Sequence, residues 1–177
     1  MTPNAIALMA DYNRWMNQRM YEAACALPEA EVTRDRGAFF GSILQTLNHI
    51  AVADTIWLHR FSQHHEMGAL QTELLPFPQP SSLRQEVAAS MGDLRTYRQA
   101  LDDLIVRWSC SLTPAQLAST LTYRNMAGQS SSKVFSQLIL HFFNHQTHHR
   151  GQASTLLFQA GVDVGVTDLL ALLPNVA

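Results

Sequence analysis

Apolar side chains at Leu8, Met9, Tyr12, Trp15, Met16, Met20, Ala23 and Leu27 recur at steps of three and four, the spacing that gathers one stripe on a helix. The pattern predicts a helix over residues 4–27, stopped by Pro28, because proline disfavours helical geometry in the residue before it. Residues 29–37 are rich in charge and close on Gly37, a loop composition. A second helix is predicted over 38–61, with Phe40, Ile43, Leu44, Leu47, Ile50, Trp57, Leu58 and Phe61 on its apolar side. The period breaks over 62–80, where Pro76, Pro78 and Pro80 alternate; such a run cannot continue a helix and favours extended chain. Ser82 and Gln85 form a capping-box pattern for a third helix, with Val87, Met91, Leu94, Tyr97, Leu101, Leu104, Ile105 and Trp108 facing the core. Thr113 and Pro114 suit the cap and first position of a short helical turn. Residues 121–129 fit a short hairpin. Ser130, Ser131 and Ser132 offer N-caps for a fourth helix running to about Ala160, where Gly161 is a natural C-cap. Residues 167–173 read as one last helical turn.

Four long amphipathic helices imply an all-α four-helix bundle, expected to form one domain across residues 1–177. The second helix would be roughly 35 Å long at the standard rise, and the proline-rich linker can exceed that if extended at ~3.3 Å per residue. Helices two and three are therefore free to run parallel, with the linker crossing the bundle.

Composition narrows the function classes. With 177 residues, 47% apolar and 15% charged, the chain can bury a real core, which excludes wholesale disorder. A formal net charge of −2 gives no footprint for nucleic acid. Two cysteines, Cys25 and Cys110, are too few for a disulfide scaffold or a cysteine-built zinc site, and they are expected to be buried as small hydrophobes. No basic region precedes an apolar run at the start, and no stretch reaches ~18 consecutive apolar residues. A soluble cytoplasmic protein with a small-molecule substrate, and no membrane partner, is the expectation.

Eight histidines are the unusual feature. Four of them, His141, His145, His148 and His149, fall in one nine-residue window, against roughly 0.4 expected from composition. His145 and His149 stand four apart, one turn along the same helix face, which also carries Leu138, Phe142 and Leu156. Two imidazoles buried side by side leave polar nitrogens unsatisfied, and a divalent metal resolves this by accepting both lone pairs. The third ligand must come from another helix, and His49, flanked by Leu47 and Ile50 near the middle of helix two, lies at a matching depth if the two helices are antiparallel and within about two turns if they are parallel. His141, one turn before His145, is open to three roles: a fourth ligand, a hydrogen-bond partner of a ligand, or a general base. His148 points away. His64 and His65 are expected at the surface and His59 at the periphery. Residues 131–160 contain no Asp or Glu, which excludes a di-iron carboxylate bundle. His-Glu-x-x-His, glycine-rich phosphate loops and nucleophile elbows are also absent.

Residues 140–153, Leu-His-Phe-Phe-Asn-His-Gln-Thr-His-His-Arg-Gly-Gln-Ala, resemble the signature of the DinB (damage-inducible) family of four-helix metalloenzymes. The segments Tyr12-Asn-Arg-Trp-Met-Asn17, Phe39-Phe-Gly-Ser-Ile-Leu-Gln-Thr-Leu-Asn-His49-Ile50 and Phe158-Gln-Ala-Gly-Val-Asp163 match in the same order. The resemblance implies an up-down-down-up bundle with a long crossover between helices two and three. It also implies a divalent metal, zinc or nickel foremost, held by His49, His145 and His149. Homodimers are common in the family. Some relatives carry glutamate where this chain has His145; three neutral imidazoles leave the full +2 charge on the site.

Three protein ligands leave a tetrahedral metal one open position. Relatives with known activity resemble transferases or isomerases that hold a low-molecular-weight thiol as thiolate. The expected function is therefore metal-dependent transfer using such a thiol. Tyr12, Trp15 and Arg150 are candidates for substrate contact and His141 for proton transfer. A metal-dependent hydrolase and a non-catalytic metal-binding stress protein stand as alternatives.

Overall fold

Three of the four long helices start where a short polar side chain takes up a free backbone N–H, the standard repair of an unpaired helix end. Thr2 accepts from Ala5, Ser42 from Gln45 and Ser90 from Asp93. In the computed structural model, which describes residues 1–175, these caps open α1 (Pro3–Cys25), α3 (Ile43–Phe61) and α5 (Met91–Ser111). The other elements are α2 (Glu29–Thr33), α4 (Gly68–Glu73), α6 (Pro114–Ala118), β1 (Thr120–Arg124), β2 (Ser130–Val134), α7 (Phe135–Gln159) and a 3₁₀ turn (Leu169–Leu172).

Several expected boundaries move, each for a local reason. Helix two starts at Ile43 rather than residue 38, because Gly41 has φ +86° and closes a tight turn with Ala38. The third helix starts at Met91, not Ser82. Ser82 instead caps a turn at Arg84, while Asn48 accepts the backbone N–H groups of Val87 and Ala88 and holds 83–88 out of helix. Ser130, Ser131 and Ser132 are not N-caps. They form β2, antiparallel to β1, with Thr122 opposite Ser132 and their hydroxyls 2.7 Å apart. Helix α7 then continues from β2 with no side-chain cap. Short helices α2 and α4 occupy segments expected to be loop. Cys25 and Cys110 are exposed rather than buried. Among the described residues, no helix is long and apolar enough to cross a membrane.

Helix α1 packs on α5 and α7, and α3 packs on α7 and α5. The core splits into two apolar clusters. One contains Phe61, Trp108, Phe135 and Phe142; the other contains Met20, Leu47, Leu94 and Leu157. Where they meet, every long helix contributes buried polar groups: Asn13 and Asn17, Asp54, Arg98 and Asp102, Gln146 and Arg150. Arg98 pairs with Asp54 at 2.6 Å and with Asp102 at 2.9 Å. Asn13 and Asn17 donate to Asp102, and Arg150 donates to Asn13. This layer fixes the rotation of α7. With Gln146 and Arg150 turned inward, His145 and His149, each one residue earlier and ~100° round the helix, face the seam with α3.

Burial pushes the Asp54 carboxyl up from 3.8 to about 6, against the pull of Arg98. Between those two values the folded state holds the proton more readily than the unfolded chain, so this group adds stability as pH falls through the window. Denaturant unfolding of wild type and Asp54→Asn at pH 7 and near pH 4.5 tests this. The stability difference shifts toward wild type at the lower pH; a shift the other way contradicts the placement of a strained carboxylate here.

Candidate metal centre

His49 sits in the first half of α3, whose residues are almost all buried, and its ring is pinned from two sides. Phe40 stacks on it, with ring centroids 3.9 Å apart and planes 20° from parallel. Its Nδ1 lies 3.1 Å from the Leu83 carbonyl oxygen. That carbonyl is presented by the 83–88 segment, which Asn48, the neighbouring residue, holds in place through Val87 and Ala88. On α7, His149 Nδ1 lies 2.8 Å from Gln152 Oε1.

A carbonyl oxygen only accepts, so both Nδ1 atoms carry the proton and donate it. In a neutral imidazole the other nitrogen then bears a lone pair. Burial pushes the pKa of His49, His145 and His149 down, that of His145 to about 3, so all three rings are neutral at ordinary pH. The Nε2 atoms of His49 and His149 nevertheless face each other at 3.3 Å. Two lone pairs at that distance, with no proton between them, repel. A cation between them removes the conflict. Two nitrogens bound to a tetrahedral zinc at 2.0–2.1 Å stand about 3.3–3.4 Å apart, the separation found here.

His145 completes the group. Its ring centroid is 5.4 Å from that of His49 and 4.3 Å from that of His149, and one ligand atom from each of the three lies within 4.8 Å of the others. The donor set therefore fits a divalent ion with nitrogen preference. His141 stands outside this group. It is exposed, 6.0 Å from His145 and 5.1 Å from Trp57 between ring centroids, on the same seam. Beside the trio, a cleft of about 450 Å³ is lined by Phe39, Phe40, Thr46, Gly151, Gln152 and Leu156.

The other sequence candidates lie elsewhere. Tyr12 is buried and donates to the Thr167 carbonyl at 2.6 Å. Trp15 is half-buried beneath Arg19, and the Arg150 guanidinium covers the Tyr12 ring. All three side chains lie on the α1 side of α7, and the structure does not bring them to the histidines. His148 is exposed, as its position predicts, and His59 is half-buried, bonded to the Phe77 carbonyl. His64 is a correction: it is 4% exposed, stacked on Phe135. With His65 and Glu66 it forms a second close group of ligand atoms. Its Nδ1, however, accepts the Glu66 N–H, and its Nε2 bonds Ser119, whose hydroxyl donates to the Gln116 carbonyl. No lone pair is left there for a metal.

Sequence reasoning missed Phe40, Leu83 and Gln152 as parts of the site. Gln152 had a signal, since it lies three residues after His149 and so one turn away. The Leu83 carbonyl had none.

Comparison with known proteins agrees with this architecture. The sequence model of the DinB family matches residues 1–175. Protein DinB of Bacillus subtilis (strain 168) is 26% identical over 163 residues, spanning 89% of this chain and 87% of that protein.

Two variants test the centre. His145→Ala abolishes stoichiometric metal in elemental analysis of untagged protein while leaving its helical circular dichroism; unchanged metal content refutes the ligand set. Gln152→Leu frees the His149 Nδ1–H and lowers metal affinity by about 10–100-fold, read by competition with a chelator; unaltered affinity shows that the hydrogen bond does not orient the ring.

Proposed function

The chain belongs to the DinB family, and from that premise we propose that it is a metal-dependent transferase that activates a low-molecular-weight thiol at His49, His145 and His149. The observation that carries the reading is the pair of Nε2 atoms facing each other at 3.3 Å while each ring's Nδ1 lies against an oxygen acceptor. When bound, a divalent cation there supplies Lewis-acid chemistry, holding a thiol in its ionised, nucleophilic form. The remaining work falls to the protein. Leu83 and Gln152 hold two rings in the tautomer that offers Nε2. Phe40 shields the face of His49 from water. His141, outside the trio and exposed, would receive or return a proton beside it. Among the described residues the group has three histidines and no fourth ligand, which supports an open, reactive site over a closed structural one.

The same reading covers the scaffold. The contacts Cys25 to Met91, Asp54 to Arg98, Phe61 to Phe135 and Arg150 to Asn13 support an up-down-down-up bundle, with α1 and α7 running one way and α3 and α5 the other. The segment between α3 and α5 is then the crossover, and it is the segment that brings Leu83 to His49.

A panel of small thiols with an aryl chloride electrophile, in H₂¹⁸O, tests the activity. Metal-loaded protein is expected to give thioether product faster than the uncatalysed background, and His145→Ala to return the rate to that background. Product carrying ¹⁸O in place of sulfur, or no metal-dependent rate with any thiol, overturns transfer.

A further inference from the structure

The seam that holds the trio continues past it. On α3, Ala53, Trp57 and Arg60 follow His49 at helical spacing, so they share its face. On α7, His141 precedes His145 by one turn. Ala53 is small and buried. Arg60 closes the far end. Its guanidinium lies 4.7 Å from the centre of the Trp57 ring and 5.3 Å from that of Tyr123, which is on β1.

Arg60 is only 9% exposed. Tyr123 and His141 are the ionisable groups that share its field, and among the described residues no ion pair joins it to a carboxylate. Among the described residues its guanidinium makes no hydrogen bond or ion pair. None of its nitrogens is sealed from solvent, unlike those of Arg36 and Arg98. The two aromatic rings satisfy the flat faces of the cation, yet they offer nothing to its five in-plane N–H donors. An arginine packed among rings with no counter-charge keeps its donors free for an anion that enters from solvent. The other buried arginines differ: Arg98 has two carboxylates, and Arg150 has Asn13 and Thr147.

We propose that Arg60, framed by Trp57 and Tyr123, is a recognition site for the carboxylate of a small-molecule substrate whose other end reaches the histidine trio. A single planar fork of donors suits a carboxylate, which it binds through two parallel hydrogen bonds. The ligand must span the rings in between: Arg60 to Trp57 at 4.7 Å, Trp57 to His141 at 5.1 Å and His141 to His145 at 6.0 Å. A long, extended thiol acid has that reach. The location of the thiol end rests on the metal reading above; the carboxylate end does not.

Two measurements separate these parts. In cobalt-substituted protein, mercaptohexanoate and mercaptoundecanoate are titrated against the matching mercaptoalkanols, reading the thiolate-to-cobalt absorption band. At least one acid is expected to bind about tenfold more tightly than its alcohol, the worth of one charge-assisted hydrogen bond. Arg60→Met removes that preference while leaving alcohol binding within about twofold. Equal binding of acids and alcohols by wild type, or a preference that survives in Arg60→Met, overturns the proposal. In metal-free protein, the Trp57 indole N–H resonance is followed with hexanoate and hexanol. A saturable shift with hexanoate alone, lost in Arg60→Met, supports the carboxylate site even if no thiol gives a cobalt band. Absence of that shift, or the same shift with hexanol, overturns it whatever the metal does.

Discussion

Two imidazole nitrogens that carry lone pairs, held 3.3 Å apart inside a helical protein, are an arrangement that only a cation makes favourable. Much of the surrounding structure serves to keep it. A free pair of histidines would turn one ring over, so that one nitrogen donates to the other. Here each ring is prevented from doing so by an acceptor at its far side: the Leu83 carbonyl for His49 and Gln152 for His149. The repulsion in the metal-free protein and the affinity for metal are two views of the same constraint, since a site preorganised for an ion is strained without it.

The buried polar layer has its part at one remove. Ion pairs in a protein interior contribute little net stability, because desolvation offsets most of their attraction. Arg98, Asp54 and Asp102, with Asn13, Asn17 and Arg150, instead fix which way each helix faces. Alternating apolar faces alone would tolerate a rotation of α7 by one position, which would carry Gln146 and Arg150 into the seam and the histidines away from it. A geometrically demanding polar cluster between the long helices removes that freedom, and the two apolar clusters on either side then pack without ambiguity.

Much of this was legible in the sequence, and for identifiable reasons. The three- and four-residue apolar steps located four long helices, because amphipathic spacing reports directly on a buried face. The i, i+4 pair His145 and His149 was legible for the same reason. His49 stood out as a polar residue in an apolar stretch. What failed were boundaries and partners decided by distant contacts. Ser82 and Gln85 have the composition of a helix cap, but Asn48, 34 residues before Ser82, competes for the nearby backbone N–H groups. The three serines before α7 read as caps until they pair with β1. Arg150 follows His149 directly, yet one residue on a helix turns the side chain through ~100°, and its guanidinium bonds Asn13 on α1. A backbone carbonyl such as that of Leu83 leaves no mark on a sequence at all.

The most direct test is to observe the ring nitrogens themselves. Nitrogen-15 correlation spectra of the histidine side chains, recorded without metal and during a zinc titration, report which nitrogen of each ring is protonated and which binds the ion. The account predicts that Nδ1 of His49 and His149 stays protonated throughout. It also predicts that the Nε2 signals of His49 and His149 and one ring-nitrogen signal of His145 move together and stop at one equivalent of zinc. Rings that take the opposite tautomer, or Nε2 signals that move independently and without saturation, would contradict it.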